Sequence, residues 1–362
     1  MPTLRALPGR GDNDLLTAYR AGLTRHWPMR RHLLARLLAG AGQGGWTPAE
    51  RHLLSDAVRQ RGLSMRDRKG LHRLLNPGAF PFTTNPLKNK QLFAQVAQAA
   101  GLTIAPACNP DSDDLAAWLA AERDIIAKPS FRSKGQGVER FWRGETWRGC
   151  DGPIGDDLLR ARLLRVWREG GVIQRRLPTH AALVDLSPGA LPTLRVMTCL
   201  DEDGVPEACG LALRLSVGGI RPVDNFNAGN LVLGVDAAGR CGPAWLGGGA
   251  GAPSVHVHHP KTGAPIEGFI LPDLPAAIAL ALDAHHVFRT GFTVIGWDVG
   301  LTDAGPMLVE GNWNPGTDIL QLVEGRGVAD MRLGALYRHH LDRLPAQAWC
   351  AARAIEWDRR RA

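Results

Sequence analysis

The sequence predicts α+β layers rather than a doubly wound parallel sheet. Strand-like and helix-like segments alternate irregularly, and several strand pairs are joined by turns too tight for a crossover, which makes them antiparallel. At 362 residues the chain is long enough for two or three packed subdomains.

Residues 12–75 read as helical. Leu15, Leu16, Tyr19 and Leu23 recur at helical spacing, and so do Leu33, Leu34, Leu37 and Leu38. Thr47-Pro-Ala-Glu50 is a capping-box start with proline at the first helical position. Asn76-Pro-Gly78 and Pro81–Pro86 are turn-rich, which places a domain boundary near residue 85.

A helix over Lys88–Ala100, a short strand over Ile104–Ala107 and a helix over Asp114–Glu122 follow. Asp124–Lys128 is an apolar strand ending in Lys-Pro, and Ser130–Gly137 is a polar, glycine-containing loop. Val138–Trp142 returns as a strand, Asp156–Trp167 is helical, and Val172–Leu177 is a strand. Thr193–Leu200 and Glu207–Ser216 flank the turn Asp201-Glu-Asp-Gly204 as a hairpin. Pro275–His286 is helical, and Asp330–Arg343 is a closing helix.

Composition excludes several classes. No apolar run reaches the roughly 18 residues of a membrane helix, and the N-terminus lacks a signal peptide's apolar core, so a cytoplasmic protein is expected. The six cysteines form no Cys-x-x-Cys pair and read as reduced core residues. The net charge of +8 is spread along the chain, and 37 of the 43 basic residues are arginine. With no nucleic-acid-binding motif and no aromatic interleaving, a nucleic-acid partner is not expected. Four of the six lysines fall between 88 and 134, where a compact ammonium is of use.

The most informative stretch is Thr293–Gly316. Thr293–Leu301 and Met307–Asn312 read as strands joined by Thr302-Asp-Ala-Gly-Pro306. A turn centred on Ala304 sets Asp298 opposite Glu310, and cross-strand Cβ atoms lie only about 5 Å apart. Glu310, Asn312 and Asn314 share a face by the two-residue period. Two carboxylates so close repel unless a divalent cation intervenes, and all-oxygen donors suit Mg²⁺ or Mn²⁺.

Lys128 stands at a strand end before Pro129-Ser-Phe-Arg-Ser-Lys-Gly-Gln-Gly137, whose backbone N–H groups can cover phosphates, and whose other reading is a surface turn. Arg195 and Arg214 sit in apolar strands and must each pair with an acid or bind an anion. The polar turn Asp224-Asn-Phe-Asn227 lies between apolar strands. No Gly-x-Ser-x-Gly or other nucleophile motif is present.

In this order the pieces resemble the ATP-grasp superfamily over roughly residues 85–340. They are most similar to its sugar-transfer-associated (α-L-glutamate ligase-related) group. The resemblance rests on Lys90, Lys128 with Lys134, Gln174–Leu177, Thr193-Leu-Arg195, Val223-Asp-Asn-Phe226 with Ala228-Gly229, Gly296-Trp-Asp298 and Glu310-Gly-Asn312. Pro192 and Asn230 depart from that pattern, where the family favours Asn and a second Gly.

The resemblance implies an ATP-grasp fold, two α+β subdomains clamping ATP behind an N-terminal helical region. It implies subdomains over 86–177 and 178–343, while the helical region over 1–85, read from periodicity, and a tail over 344–362 lie outside the resemblance. ATP and Mg²⁺ (or Mn²⁺) are the implied cofactors. Lys90 and Lys128 are assigned to the α/β-phosphates, and the loop with Ser133, Lys134, Gly135 and Gly137 to a lid. The backbone across Gln174, Arg175 and Leu177 is assigned to adenine, and His180 or Asp185 to the ribose. Asn225 belongs to the same site. Asp298, Glu310 and Asn312 would hold one or two metal ions, and Arg195 and Arg214 would face the γ-phosphate or a substrate carboxylate. The implied activity is a carboxylate–amine ligase acting on small-molecule or peptide substrates. The alternatives are a phosphotransferase acting on a hydroxyl and a non-catalytic nucleotide-binding protein.

Overall fold

The computed structural model describes residues 15–26, 45–131, 137–219, 226–247 and 252–350. The predicted helix around Leu33–Leu38 lies outside them, as do Ser133, Lys134, Gly135 and Asn225. No described helix is long and apolar enough to cross a membrane.

Four helices open the described chain: α1 (Leu15–His26), α2 (Pro48–Leu53), α3 (Asp56–Gln60) and α4 (Met65–Leu75). The capping box forms as expected. Thr47 accepts from the Glu50 N–H, and the Glu50 carboxylate accepts from the Thr47 N–H at 2.8 Å. The same carboxylate, almost fully buried, also accepts from the Met65 N–H at 2.6 Å, so one acid ties the starts of α2 and α4 together.

After α5 (Lys90–Ala99) comes a six-stranded antiparallel sheet. It comprises β1 (Ala107–Cys108), β2 (Asp124–Lys128), β3 (Glu139–Arg143), β4 (Trp147–Gly149), β5 (Gly152–Pro153) and β6 (Val172–Arg175). The strands lie in the order β1-β6-β2-β3-β4-β5. Helices α6 (Leu115–Ala121) and α7 (Asp156–Arg168) lay Leu119, Leu159, Leu163 and Val166 on Ile125, Ala127, Phe141 and Ile173. Each such large apolar side chain, when fully buried, is worth about 1.5–3 kcal/mol.

A seven-stranded antiparallel sheet follows: β7 (Thr193–Leu200), β8 (Pro206–Leu215), β9 (Leu231–Val235), β10 (Cys241–Leu246), β11 (Ser254–His256), β12 (Val294–Thr302) and β13 (Gly305–Asn312). Its order is β11-β10-β9-β8-β7-β12-β13. One face packs on α8 (Leu274–Phe288), whose Ala277, Ala281 and Ala284 let helix and sheet approach closely. The other face carries α1, α4 and α10 (Arg332–Arg343), through Leu15, Leu71 and Tyr337 against Met197, Cys199 and Val294. Leu54 of the N-terminal region and α9 (Asp318–Glu324) cover Ala212 and Val232 beside them.

Two segments pack across the expected divisions of the chain. The N-terminal helices share a core with the seven-stranded sheet. Residues 86–104 also belong to that half: Leu87, Phe93 and Ala97 pack with Trp297 and Phe288, and Ile104 bridges Leu308 beside β13. The amphipathic helix α5 found its apolar partner there, although it precedes β1 in the chain.

Candidate active site

The carboxylate hairpin forms, and its register is instructive. Thr302 pairs with Gly305 and Val299 with Leu308, so the turn itself is centred half a residue before Ala304. A bulge between Asp298 and Val299 then inserts Val309 and restores Asp298 opposite Glu310. The expected pairing is present, and the bulge supplies it.

On the other side Asp298 pairs with Arg195 of β7. Arg195, Asp298 and Glu310 therefore form one row across three strands. The next row is Met197, Gly296 and Asn312. Gly296 leaves a gap in it that Pro315 fills, since a Cβ there would stand 2.5 Å from the Pro315 Cβ. Gly311 has the matching reason on the opposite face, where a Cβ would meet the Trp297 ring and Leu87, each at 2.7 Å. Trp297, fully buried, donates its indole N–H to the Thr198 hydroxyl at 3.0 Å. That anchor fixes β12 and turns its neighbour Asp298 toward the cleft.

Asp298 is only 3% exposed. Arg195 Nε donates to its Oδ1 at 2.5 Å, and Arg214 Nη2 lies 2.8 Å from Oδ2. Asn312 Nδ2 reaches the same Oδ2 at 3.5 Å. Burial by itself raises the Asp298 carboxyl, but the two guanidinium charges and their hydrogen bonds outweigh it and hold the pKa well below the usual range. Arg214 also donates to the Thr193 hydroxyl from Nε and Nη2, at 3.0 and 2.7 Å. Glu310 is more open, and Lys90 Nζ lies 3.9 Å from its Oε2.

These groups line a cleft of about 720 Å³ between the two sheets. Its described lining carries nine lysine and arginine side chains against three carboxylates, Asp298, Glu310 and Asp318. From the six-stranded sheet come Ile126, Lys128, Val172 and Gln174, with Arg175, Arg176 and Leu177 after them. The N–H groups of Arg175 and Arg176 donate to the carbonyls of Pro106 and Asp124. Arg175 turns its side chain outward onto Glu122, at 2.7 Å. Among the described residues the Leu177 N–H, next along this segment, has no backbone acceptor.

Of the described residues expected here, Lys90, Lys128, Gln174, Arg175, Leu177, Arg195, Arg214, Asp298, Glu310 and Asn312 are brought together. Gly137 and His180 are not among the lining residues, although Val138 is. His180 instead accepts the Ala182 N–H, capping a single helical turn, with Asp303 3.9 Å away. Asp185 is exposed on the surface. Asn314 leaves the strand face and turns its amide oxygen to His72 at 3.0 Å.

The donor set suits a divalent cation. Asp298, Glu310 and Asn312 occupy adjacent register positions, and the two carboxylates, with the Asn312 amide oxygen once its amide turns over, supply the oxygen donors that fit Mg²⁺ or Mn²⁺. Both Asp298 oxygens are engaged by arginine, so cation binding requires at least one guanidinium to turn to another anion.

One contribution was not read from the sequence. Arg68 and Lys69 of α4 line the same cleft, alongside Met65. The available signal was Arg68 standing three residues before Leu71, on the apolar face of its helix, where an unpaired cation is costly.

Residues 167–335 match the sugar-transfer associated ATP-grasp family. Over that span, a little under half of the chain, it is similar to the ATP-grasp superfamily. Comparison with curated proteins finds no match. Among solved structures, D-alanine–D-alanine ligase from Bacillus anthracis is 12% identical with a TM-score of 0.40, covering 76% of this chain and 75% of that one. D-alanyl-alanine synthetase A from Vibrio cholerae is 14% identical with a TM-score of 0.43, covering 73% and 67%. N5-carboxyaminoimidazole synthetase from Staphylococcus aureus, solved with ADP, is 8% identical with a TM-score of 0.38. It covers 65% of this chain, while the chain spans 47%, about half, of its length. Likeness at this level carries no weight for activity or substrate.

Proposed function

We propose that the chain is an ATP-dependent carboxylate–amine ligase. The observation that carries this reading is the Arg195–Asp298–Glu310 row, with Arg214 and Asn312 beside it, on the floor of a cleft with a cationic excess. A triphosphate and a carboxylate are both anions, and such a cleft suits the two together.

In this reading Lys90 and Lys128 hold the inner phosphates as point charges, and the Leu177 N–H meets the adenine edge. Arg195 and Arg214 orient the terminal phosphate for transfer to the substrate carboxylate. Asp298, Glu310 and Asn312 would hold the divalent cation, which when bound neutralises phosphate charge. The carboxylate oxygen attacks the γ-phosphorus as the bond to the bridging oxygen breaks, leaving ADP. An amine then attacks the acyl carbon and expels phosphate. Neither step needs a protein nucleophile. Positioning and charge neutralisation suffice, in keeping with the absence of a nucleophile motif.

The test is ADP release with Mg²⁺ over pooled amino acids, peptides and sugar acids, followed by product analysis. Free phosphate with a new amide is the expected result. A stable phosphoester would replace the ligase by a kinase, and no ADP release from any pool would remove both.

A further inference from the structure

Helix α4 lies outside the segment that matches the ATP-grasp family, yet it forms one wall of the cleft. Three features place it there. The Asn76 amide, fully buried at the helix's end, donates to the carbonyls of Val294 and Trp313 at 2.8 and 2.6 Å and accepts the N–H groups of Thr293 and Val294. His72 bridges Asn314 and the Tyr337 hydroxyl. Arg68 Nη1 donates to the carbonyls of Asn314 and Pro315, at 2.9 and 2.5 Å. The helix is thus pinned to the segment that follows Glu310-Gly-Asn312.

These bonds occupy one end of the Arg68 guanidinium only. Its Nε and Nη2 make no hydrogen bond among the described residues, and neither belongs to the sealed, unpartnered atoms of the structure. No carboxylate among the described residues lies within ion-pair distance of Arg68, which is only 8% exposed. Lys69, beside it on the cleft wall, is exposed and has no ion pair or hydrogen bond among the described residues. A buried arginine on the cleft wall, its plane fixed by two carbonyls and its Nε–Nη2 edge without a hydrogen bond among the described residues, is a ready fork for an oxyanion. A planar carboxylate matches that edge with two parallel hydrogen bonds.

We propose that Arg68, with Lys69 beside it, forms a carboxylate-binding subsite that selects an acidic substrate. The subsite is separate from the phosphate-binding row of Arg195 and Arg214. It rests on the ligase reading above and narrows the substrate to acids with a carboxylate besides the one activated. Burial lowers the Arg68 pKa, and of the charges that act on it the cleft carboxylate Asp318 comes first and Arg195 last, so the fork and the Arg195 row share one cleft.

The test uses glutarate, a plain dicarboxylate, titrated by calorimetry into the full chain with saturating Mg²⁺ and a non-hydrolysable ATP analogue. Wild type is expected to bind glutarate. Lys69→Glu, a surface change that spares the fold, and Arg68→Lys, which keeps the charge but loses the fork, should each weaken it about tenfold or more. Affinity for the ATP analogue should fall clearly less than affinity for glutarate in both variants, and least in Arg68→Lys, which keeps the cleft's charge. Glutarate binding that is absent in wild type, or unchanged in both variants, would overturn the subsite. So would a matching loss of analogue affinity, which would make Arg68 part of the phosphate site. If wild type fails to bind the analogue, the ligase reading falls instead, and the glutarate titration without nucleotide decides the subsite alone.

Discussion

Replacing Asp298 by asparagine should destabilise the protein and stop turnover by separable routes. The carboxylate is buried and stands between two guanidinium groups, at 2.5 Å from Arg195 and 2.8 Å from Arg214. An asparagine at this position keeps the volume and one oxygen but removes the charge that both arginines share. Breaking a buried ion pair by removing one partner costs about 3–5 kcal/mol. The arginine side chains are 18% and 13% exposed, so water recovers part of that. The expected loss is about 3 kcal/mol, at the low end of that range. Urea unfolding at neutral pH measures it. Pyrophosphate should restore stability in Asp298→Asn more than in wild type, because an external anion replaces the missing one. A variant within about 1 kcal/mol of wild type, or one indifferent to pyrophosphate, would refute the view that Asp298 holds these arginines in place.

Other consequences follow from the same geometry. Glu310→Gln keeps the shape but removes a proposed metal ligand, so metal-dependent ADP release should fall about 10²–10³-fold; near-normal turnover would sink that assignment. Burial lowers the His72 pKa to about 3 and the His285 pKa to about 4, both from 6.5, so both are neutral when folded. Unfolded chains bind these protons first, so stability should be full above about pH 6.5 and fall as pH drops below it, by about 1.4 kcal/mol per pH unit per histidine. Thermal melts between pH 7 and pH 4 check the slope; a flat profile would contradict the buried neutral assignment. Asn76→Ala strands two carbonyls and the Val294 N–H in the core and leaves the Thr293 N–H only the Leu75 carbonyl at 3.4 Å, and should cost about 3 kcal/mol or more in urea unfolding, with about 1–3 kcal/mol for each stranded group as the upper guide.

Much of this site was legible because its residues carry strong local signals. The Asp298–Glu310 pairing followed from strand periodicity and a short turn, and β7 is bounded by the residues expected, Thr193 and Leu200. Strands β10 and β11 were not legible. In β10, Gly242-Pro243 argues against a strand, and the structure absorbs both in a register shift between Cys241 and Ala244. Helix α5 was legible as a helix but not as a neighbour of Trp297, because amphipathicity shows that a face is buried and not against what. The role of Arg68 was hidden for the same reason. Its partners are backbone carbonyls of residues 314 and 315, far along the chain, with no side-chain pattern to announce them.

One binding measurement bears most directly on the cleft: ATP titrated into the protein by calorimetry, with Mg²⁺ and again with a chelator. One site per chain is expected, with affinity about tenfold or more weaker in the chelator, since the cation screens phosphate from Glu310 and Asp298. No binding in either condition, or binding indifferent to the cation, would contradict a nucleotide–metal cleft between the two sheets.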